Sequence, residues 1–198
     1  MPAPSHRLPA AAAIRPFSQG DFSSLCGLYS SLNAINLALW SLEPPKEQLR
    51  ELFRLGIRHL VKRRQLARVM ACGMDDEVWL KLGDTLVGHA NQLFGTALAL
   101  EPVVDSARTG VQQPQKLTAT RSIRLIKSKL ASGAPVLCAL GGVLDHYTVF
   151  SGYSQQRLTM FDSSGYRWVE QRSVGDGPDS GARHWLDVNS ARAVVDNW

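Results

Sequence analysis

The 198-residue sequence predicts an α+β fold on three observations. Apolar residues recur at helical spacing through the first half, and short apolar runs bounded by glycine-rich turns fill the second. That order, helices before strands, implies an N-terminal helical layer packed on a C-terminal, mostly antiparallel sheet. The length suits one domain, expected over residues 16–198, with a core large enough to need no disulfide staples. At 44% hydrophobic and 20% charged residues, the composition excludes disordered and fibrous classes.

Residues 1–15, rich in alanine and proline without periodicity, read as a flexible or loosely packed arm. From Leu25, the series Leu25, Leu28, Tyr29, Leu32, Ile35 and Leu39 marks one face of a first helix, which Pro44 and Pro45 terminate. A second helix is expected over Lys46–Lys62, with Leu49, Leu52, Phe53, Ile57, Leu60 and Val61 inward and Arg50, Arg54 and Arg58 outward. It should break near Lys62, because Arg63 and Arg64 would swing back toward the apolar stripe. Asp75, Asp76 and Glu77 suit the first turn of a third helix, whose apolar positions are Val78, Trp79, Leu82, Leu86, Val87 and Leu93. Beyond Phe94 the runs Ala97–Val104, Val136–Leu140, Tyr147–Tyr153, Leu158–Phe161 and Tyr166–Val169 read as strands, with Ala193–Val195 as a last one. One helix, about Ser122–Leu130, interrupts them. Gly141 and Gly142, Ser163 to Gly165 and the stretch Gly175 to Gly181 are turns or loops.

Several function classes drop out. No window approaches the roughly 20 apolar residues of a membrane span. The Leu8–Ile14 run is short and holds a proline, so no classical export signal is expected, and the chain reads as cytoplasmic or as an effector delivered without one. Cys26, Cys72 and Cys138 are odd in number and widely spaced, which argues against a disulfide framework or a metal site. Cys72 and Cys138 read as small core residues. The net charge of +5 is concentrated between Lys46 and Met70, where eight basic residues face two acidic ones. This leaves a solvated helix face or, around Arg50, Arg54 and Arg58, a docking site for an acidic protein, and no strong nucleic-acid signal. Trp40, Trp79, Trp168, Trp185 and Trp198 read as core or edge packing, with room for one in a substrate groove. No phosphate loop or dinucleotide fingerprint occurs, and no cofactor is expected.

The chemistry concentrates in Gln19-Gly20-Asp21-Phe22-Ser23-Ser24-Leu25-Cys26-Gly27, where loop residues lead into a cysteine at a helix start. The positive end of the helix dipole favours thiolate over thiol there. By helical-wheel arithmetic the sulfur lies away from the main apolar stripe. A thiolate needs a proton acceptor, and of the five histidines His146 is the best set, opening a strand just after Gly141 and Gly142. Asp162 closes the next strand, and antiparallel pairing would bring it beside His146, where it can fix the imidazole tautomer. Gln19 is the candidate side-chain donor to an oxyanion, with the Cys26 backbone N–H as the second. Taken singly, each residue has a plainer structural role. It is the coincidence of Gln19, Cys26, His146 and Asp162 in this order that points to catalysis.

In that order, and with the Cys26-Gly27 step, these residues resemble the papain-like cysteine peptidase superfamily. Within it the chain is most similar to compact bacterial peptidases akin to the domains that process double-glycine bacteriocin leaders. The resemblance implies a papain-like fold and a thiol protease, with Cys26 as nucleophile, His146 as base, Asp162 orienting the base and Gln19 serving the oxyanion. One departure stands out: six residues separate Gln19 from Cys26, one more than is usual in the family. The expected activity is hydrolysis of a peptide or isopeptide bond in a protein or peptide substrate. The alternatives are acyl transfer of the transglutaminase kind by the same residues, or a non-catalytic protein-binding module on the same fold.

Overall fold

A computed structural model describes residues 5–19, 23–104 and 117–197. Among them lie six helices: α1 (Pro9–Ala13), α2 (Cys26–Ala38), α3 (Lys46–Lys62), α4 (Leu66–Cys72), α5 (Asp76–Phe94) and α6 (Ala119–Ala131). The strands are β1 (His6–Arg7), β2 (Leu98–Pro102), β3 (Val136–Gly142), β4 (His146–Tyr153), β5 (Arg157–Met160), β6 (Trp168–Glu170), β7 (Val174–Gly175), β8 (His184–Leu186) and β9 (Arg192–Asp196). The fold is α+β with one large sheet in the order β2-β9-β3-β4-β5-β6. To this path β1 is added beside β4, β8 beside β3, and β7 beside β8, the last being the one parallel pair among the described strands.

The helix α2 is the centre of the molecule. Besides the predicted stripe of Leu28, Leu32 and Ile35, it buries Ser30, Ser31, Asn33 and Asn36, so it is covered on nearly every side. Burial of those polar groups is tolerated because they are bonded. The hydroxyls of Ser30 and Ser31 donate back to Gly27 O at 3.0 and 2.9 Å. Asn33 accepts from Phe17 N at 2.7 Å and donates to Phe17 O, which fixes the chain entering the helix. In β3 and β4 nearly every residue is buried, and since side chains alternate between faces, both faces of the sheet centre are covered. Helices α2 and α6 both pack there, so α6 joins the helical covering from within the strand-rich half.

Two end signals read from sequence act as expected, whereas α2 ends at Ala38, ahead of Pro44 and Pro45, with a 3-10 turn Trp40–Leu42 between. Asp75 caps α5 by accepting from Val78 N at 2.8 Å, and α3 ends at Lys62 with Arg64 in the left-handed region at φ 57°. Four expectations need correction. Residues 6–13, read as part of a loose arm, pack into the domain: His6 and Arg7 pair with Tyr153 and Gly152, Leu8 N donates to Ser151 O at 2.8 Å, and Leu8, Ala10 and Ala11 are buried. The arm signal failed because a two-residue strand and a five-residue helix are too short to show periodicity. Gly152 makes the pairing possible, since a Cβ there would lie 2.5 Å from His6 O. Val61 and Leu93, expected inward, are exposed at the edges of their helical stripes. Helix α4 was not foreseen, and Cys72 at its end is exposed rather than core, whereas Cys138 is fully buried. Trp79 lies in the core and Trp168 is exposed, while Trp198 and residues 1–4 lie outside the described residues.

Candidate active site

A short 3-10 turn, Ser23–Leu25, runs into α2, so Cys26 is the first helical residue and sits at the positive end of the dipole. It is 9% exposed. The neighbouring Gly27 leaves space that Met74 and Trp79 fill, both within about 3 Å of where a Cβ would be. The start of α5 is thereby drawn against the start of α2. Trp79 stacks on Tyr147 at 4.4 Å between centroids, and the Tyr147 hydroxyl donates to Asp76 Oδ1 at 2.6 Å and lies 3.0 Å from Met74 O. Burial, then the bond to Asp76, pushes the Tyr147 pKa far up, so it stays a neutral donor.

His146 opens β4 after a tight turn whose backbone is specialised. Gly142 has φ 86°, and a Cβ there would lie 2.6 Å from Arg183 O. Asp145, directly before His146, holds φ 41°, a left-handed conformation that costs a non-glycine residue energy and is often found beside functional groups. Strand pairing then does what the sequence order implied. Phe150 stands opposite Met160, Phe161 N donates to Val149 O at 2.8 Å, and Asp162, just past β5, comes level with the start of β4.

The result is a buried pair, His146 Nε2 lying 2.9 Å from Asp162 Oδ2. With Nε2 committed, Nδ1 is the nitrogen left for the sulfur. Burial by itself would lower the His146 pKa, but hydrogen bonds to Asp162 and to Cys26, with the charges they carry, raise it to about 9. Burial would conversely raise that of Asp162, yet bonds from His146, Thr148 and Ser164 hold it below the usual carboxyl value. The carboxylate is saturated. Thr148 donates to Oδ2 at 2.6 Å, and the backbone N–H groups of Ser164 and Tyr166 reach Oδ1 at 2.8 and 3.3 Å.

Gln19 is buried and bound to the turn after Asp162. Its backbone N–H donates to Ser163 O at 3.2 Å, its Nε2 donates to Ser164 Oγ at 2.8 Å, and its Oε1 accepts from Ser163 Oγ at 3.2 Å. Three of the four sequence-chosen residues are therefore joined by hydrogen bonds, His146 to Asp162 and Gln19 to the Asp162 turn, while Cys26 acts on the His146 ring by its nearness. Among the described residues no bond joins Gln19 directly to Cys26 or His146, and residues 20–22 of its loop lie outside them.

Sequence reasoning missed Thr148, Ser163, Ser164, Tyr147 and Tyr166. Thr148 was findable, since residues i and i+2 of a strand share a face and it follows His146 at that interval. Tyr166, 44% exposed, sets its ring edge-on to His146 at 5.7 Å between centroids and borders the site on the solvent side. No group of three or more metal-ligating side chains occurs among the described residues. No family model and no curated protein matches this chain.

Proposed function

We propose that the chain is a cysteine peptidase of the papain-like kind, and one observation carries the reading: a single buried imidazole is bonded by Asp162 through Nε2, and Cys26, the first residue of a helix, is near enough to raise the proton affinity of the same ring. A structural histidine needs neither a thiol partner nor a carboxylate held by three further donors. The arrangement supports His146 as the acceptor of the Cys26 proton, since the bond to Asp162 favours the protonated ring, whose pKa is raised to about 9.

In the reaction the sulfur attacks the carbonyl carbon of a peptide or isopeptide bond, and the carbonyl oxygen takes the charge. Candidate donors to that oxyanion are the backbone N–H of Cys26 and the Gln19 amide, of whose two hydrogens Ser164 takes one. His146 gives its proton to the departing amine as the C–N bond breaks, leaving a thioester on Cys26. Water then attacks the thioester, His146 takes its proton, and the acid is released with the thiolate restored. Throughout, Asp162 keeps the ring in one tautomer and balances its positive charge.

Alkylation tests this with an internal control, because Cys72 is a free, exposed thiol and Cys138 is buried. Iodoacetamide followed by peptide mass mapping at about pH 6 should modify Cys26 faster than Cys72 despite its burial, since only a thiolate reacts. In His146→Ala that order should reverse. A Cys26 slower than Cys72 in the native protein would remove the nucleophile.

A further inference from the structure

On the far side of the Asp162 turn, β1, β4, β5 and β6 enclose a recess of about 490 Å³ lined by Arg7, Ser154, Arg157, Thr159, Arg167 and Trp168, with Met160 at its base. Three arginines line it. None of the three has a carboxylate partner among the described residues. Glu170 stands opposite Arg157 in the strand register, but its carboxylate is taken by Arg172 Nε at 2.8 Å. Two of the guanidiniums are held in place without being neutralised. Arg7 Nη2 donates to Ala11 O at 2.7 Å, and Arg157 lies over the Trp168 ring at 4.6 Å from its centroid. Exposed like charges gathered without a counter-ion repel one another, so the arrangement is favourable chiefly when an anion fills it.

The contrast with α3 sharpens this. There Arg50, Arg54 and Arg58 already bond Glu47 and Glu51, so each of these three guanidiniums has a carboxylate partner. The recess, built from residues scattered between positions 7 and 168, brings together three arginines that have no ion pair among the described residues. One end of it, at Arg167, adjoins the candidate site, while Arg7 and Arg157 lie roughly 15–20 Å away along β4 and β5. Met160 stands two residues before Asp162, Met160 N donates to Arg167 O at 2.9 Å, and Tyr166, beside Arg167, touches the His146 ring.

We infer that this recess is a substrate subsite that receives an acidic segment, aspartate or glutamate side chains flanking the bond to be cleaved, and the inference rests on the peptidase reading above. Arg7, Arg157 and Arg167 bind the carboxylates, and Trp168 both orients Arg157 and covers the aliphatic part of the peptide. An acidic peptide is favoured over a small anion because the recess, at about 490 Å³, is large for a single small anion, its lining comes from four strands and their ends, and it offers the exposed face of Trp168 as well as charge.

Fluorescence anisotropy of a fluorescein-labelled hexaglutamate peptide with the Cys26→Ala protein tests it. Binding is expected for hexaglutamate and absent for hexaglutamine, weakening as salt rises. Arg157→Gln combined with Arg167→Gln should reduce affinity about 10-fold or more. Arg54→Gln combined with Arg58→Gln removes the same net charge and should change it less than about 2-fold. Arg7→Gln alone, on a different strand, should cost about 3-fold and serves if the double variant misfolds. Equal losses in the two double variants, or no hexaglutamate binding, overturn the subsite. Calorimetric binding of inorganic pyrophosphate that Arg157→Gln with Arg167→Gln abolishes, without hexaglutamate binding, overturns it in favour of a small anion. Specific hexaglutamate binding combined with a Cys26 that alkylates no faster than Cys72 would instead overturn the peptidase reading, leaving the recess as a peptide-binding surface.

Discussion

On α3, Arg50, Arg54 and Arg58 reach Glu47 and Glu51 at 2.5 to 3.4 Å with all five side chains open to water, whereas His146 and Asp162 meet at 2.9 Å with both side chains buried. The distances are alike and the consequences are not. In water each charge is hydrated and screened, so an exposed pair shifts its carboxylates slightly downward and adds little to stability. Away from water the same attraction must offset desolvation, so each group depends on its partners for its charge state. That dependence lets one ring hold a proton at neutral pH and surrender it when the chemistry changes around it. The paired charges that sequence counting notices first are therefore the ones with least leverage.

The largest effect that would sharpen this contrast is loss of chemistry. Cys26→Ala should lower turnover of a cleavable acidic peptide by at least about 10⁴-fold while the urea midpoint stays close to that of the native protein, because a small, nearly buried thiol is exchanged for a methyl group. Retained turnover would end the assignment of Cys26. His146→Ala should lose comparable activity, and it also strands the buried Asp162 carboxylate at a cost of about 3 kcal/mol in urea unfolding.

Next in size is Asp162→Asn. An amide can still hold the ring but cannot balance its charge, so activity should fall, by less than in His146→Ala. Thr148→Val, which keeps the shape and removes one donor to Asp162, should lower activity a few-fold and stability by about 1 kcal/mol. If Asp162→Asn proved as inactive as His146→Ala, the carboxylate would be doing more than orienting the base.

The third test is pH. His146 is held at about 9 in the folded protein against 6.5 ordinarily, so its stabilising contribution is complete below about pH 6.5 and lost as pH rises through 9. The Asp162 shift is downward, so its contribution is present above the ordinary carboxyl value and lost as pH falls through the lower folded one. Urea midpoints should hold between about pH 5 and 6.5 and decline toward pH 9.5, with that decline flattened in His146→Gln. An unchanged decline in the variant would place its cause elsewhere.

The smallest effect belongs to α3. Glu47→Gln with Glu51→Gln breaks every resolved ion pair on the helix, yet the urea midpoint should move no more than replicate measurements do, and less again in high salt. A clear loss of stability would break the comparison, showing that these exposed pairs act as a cooperative network.

Much of the architecture was legible beforehand because long elements repeat their signals. Helix α3 matches its expected bounds, α5 starts where Asp75 can cap it, and β3, β4, β5 and β9 fall within a residue or two of the apolar runs that announced them. Short elements carry too few periods to be read, which is why β1, α1, α4, β7 and β8 were missed. Packing also overrode patterning. Amphipathic spacing placed Ser30, Ser31, Asn33 and Asn36 of α2 outside the stripe, yet they are buried because sheet and neighbouring helices enclose that helix.

The candidate site divides along the same line. By itself the sequence determined residue types, their order and their local settings: a cysteine at a helix start, a histidine opening one strand, an aspartate closing the next. Those are short-range properties, written in capping, periodicity and turn chemistry. Only the tertiary structure decided that the Asp162 carboxylate receives Thr148 and two backbone N–H groups, that Gln19 locks onto Ser163 and Ser164, and that Arg7 joins Arg157 and Arg167 around one recess. Each depends on strand register, and register is fixed by the whole sheet burying its apolar positions together.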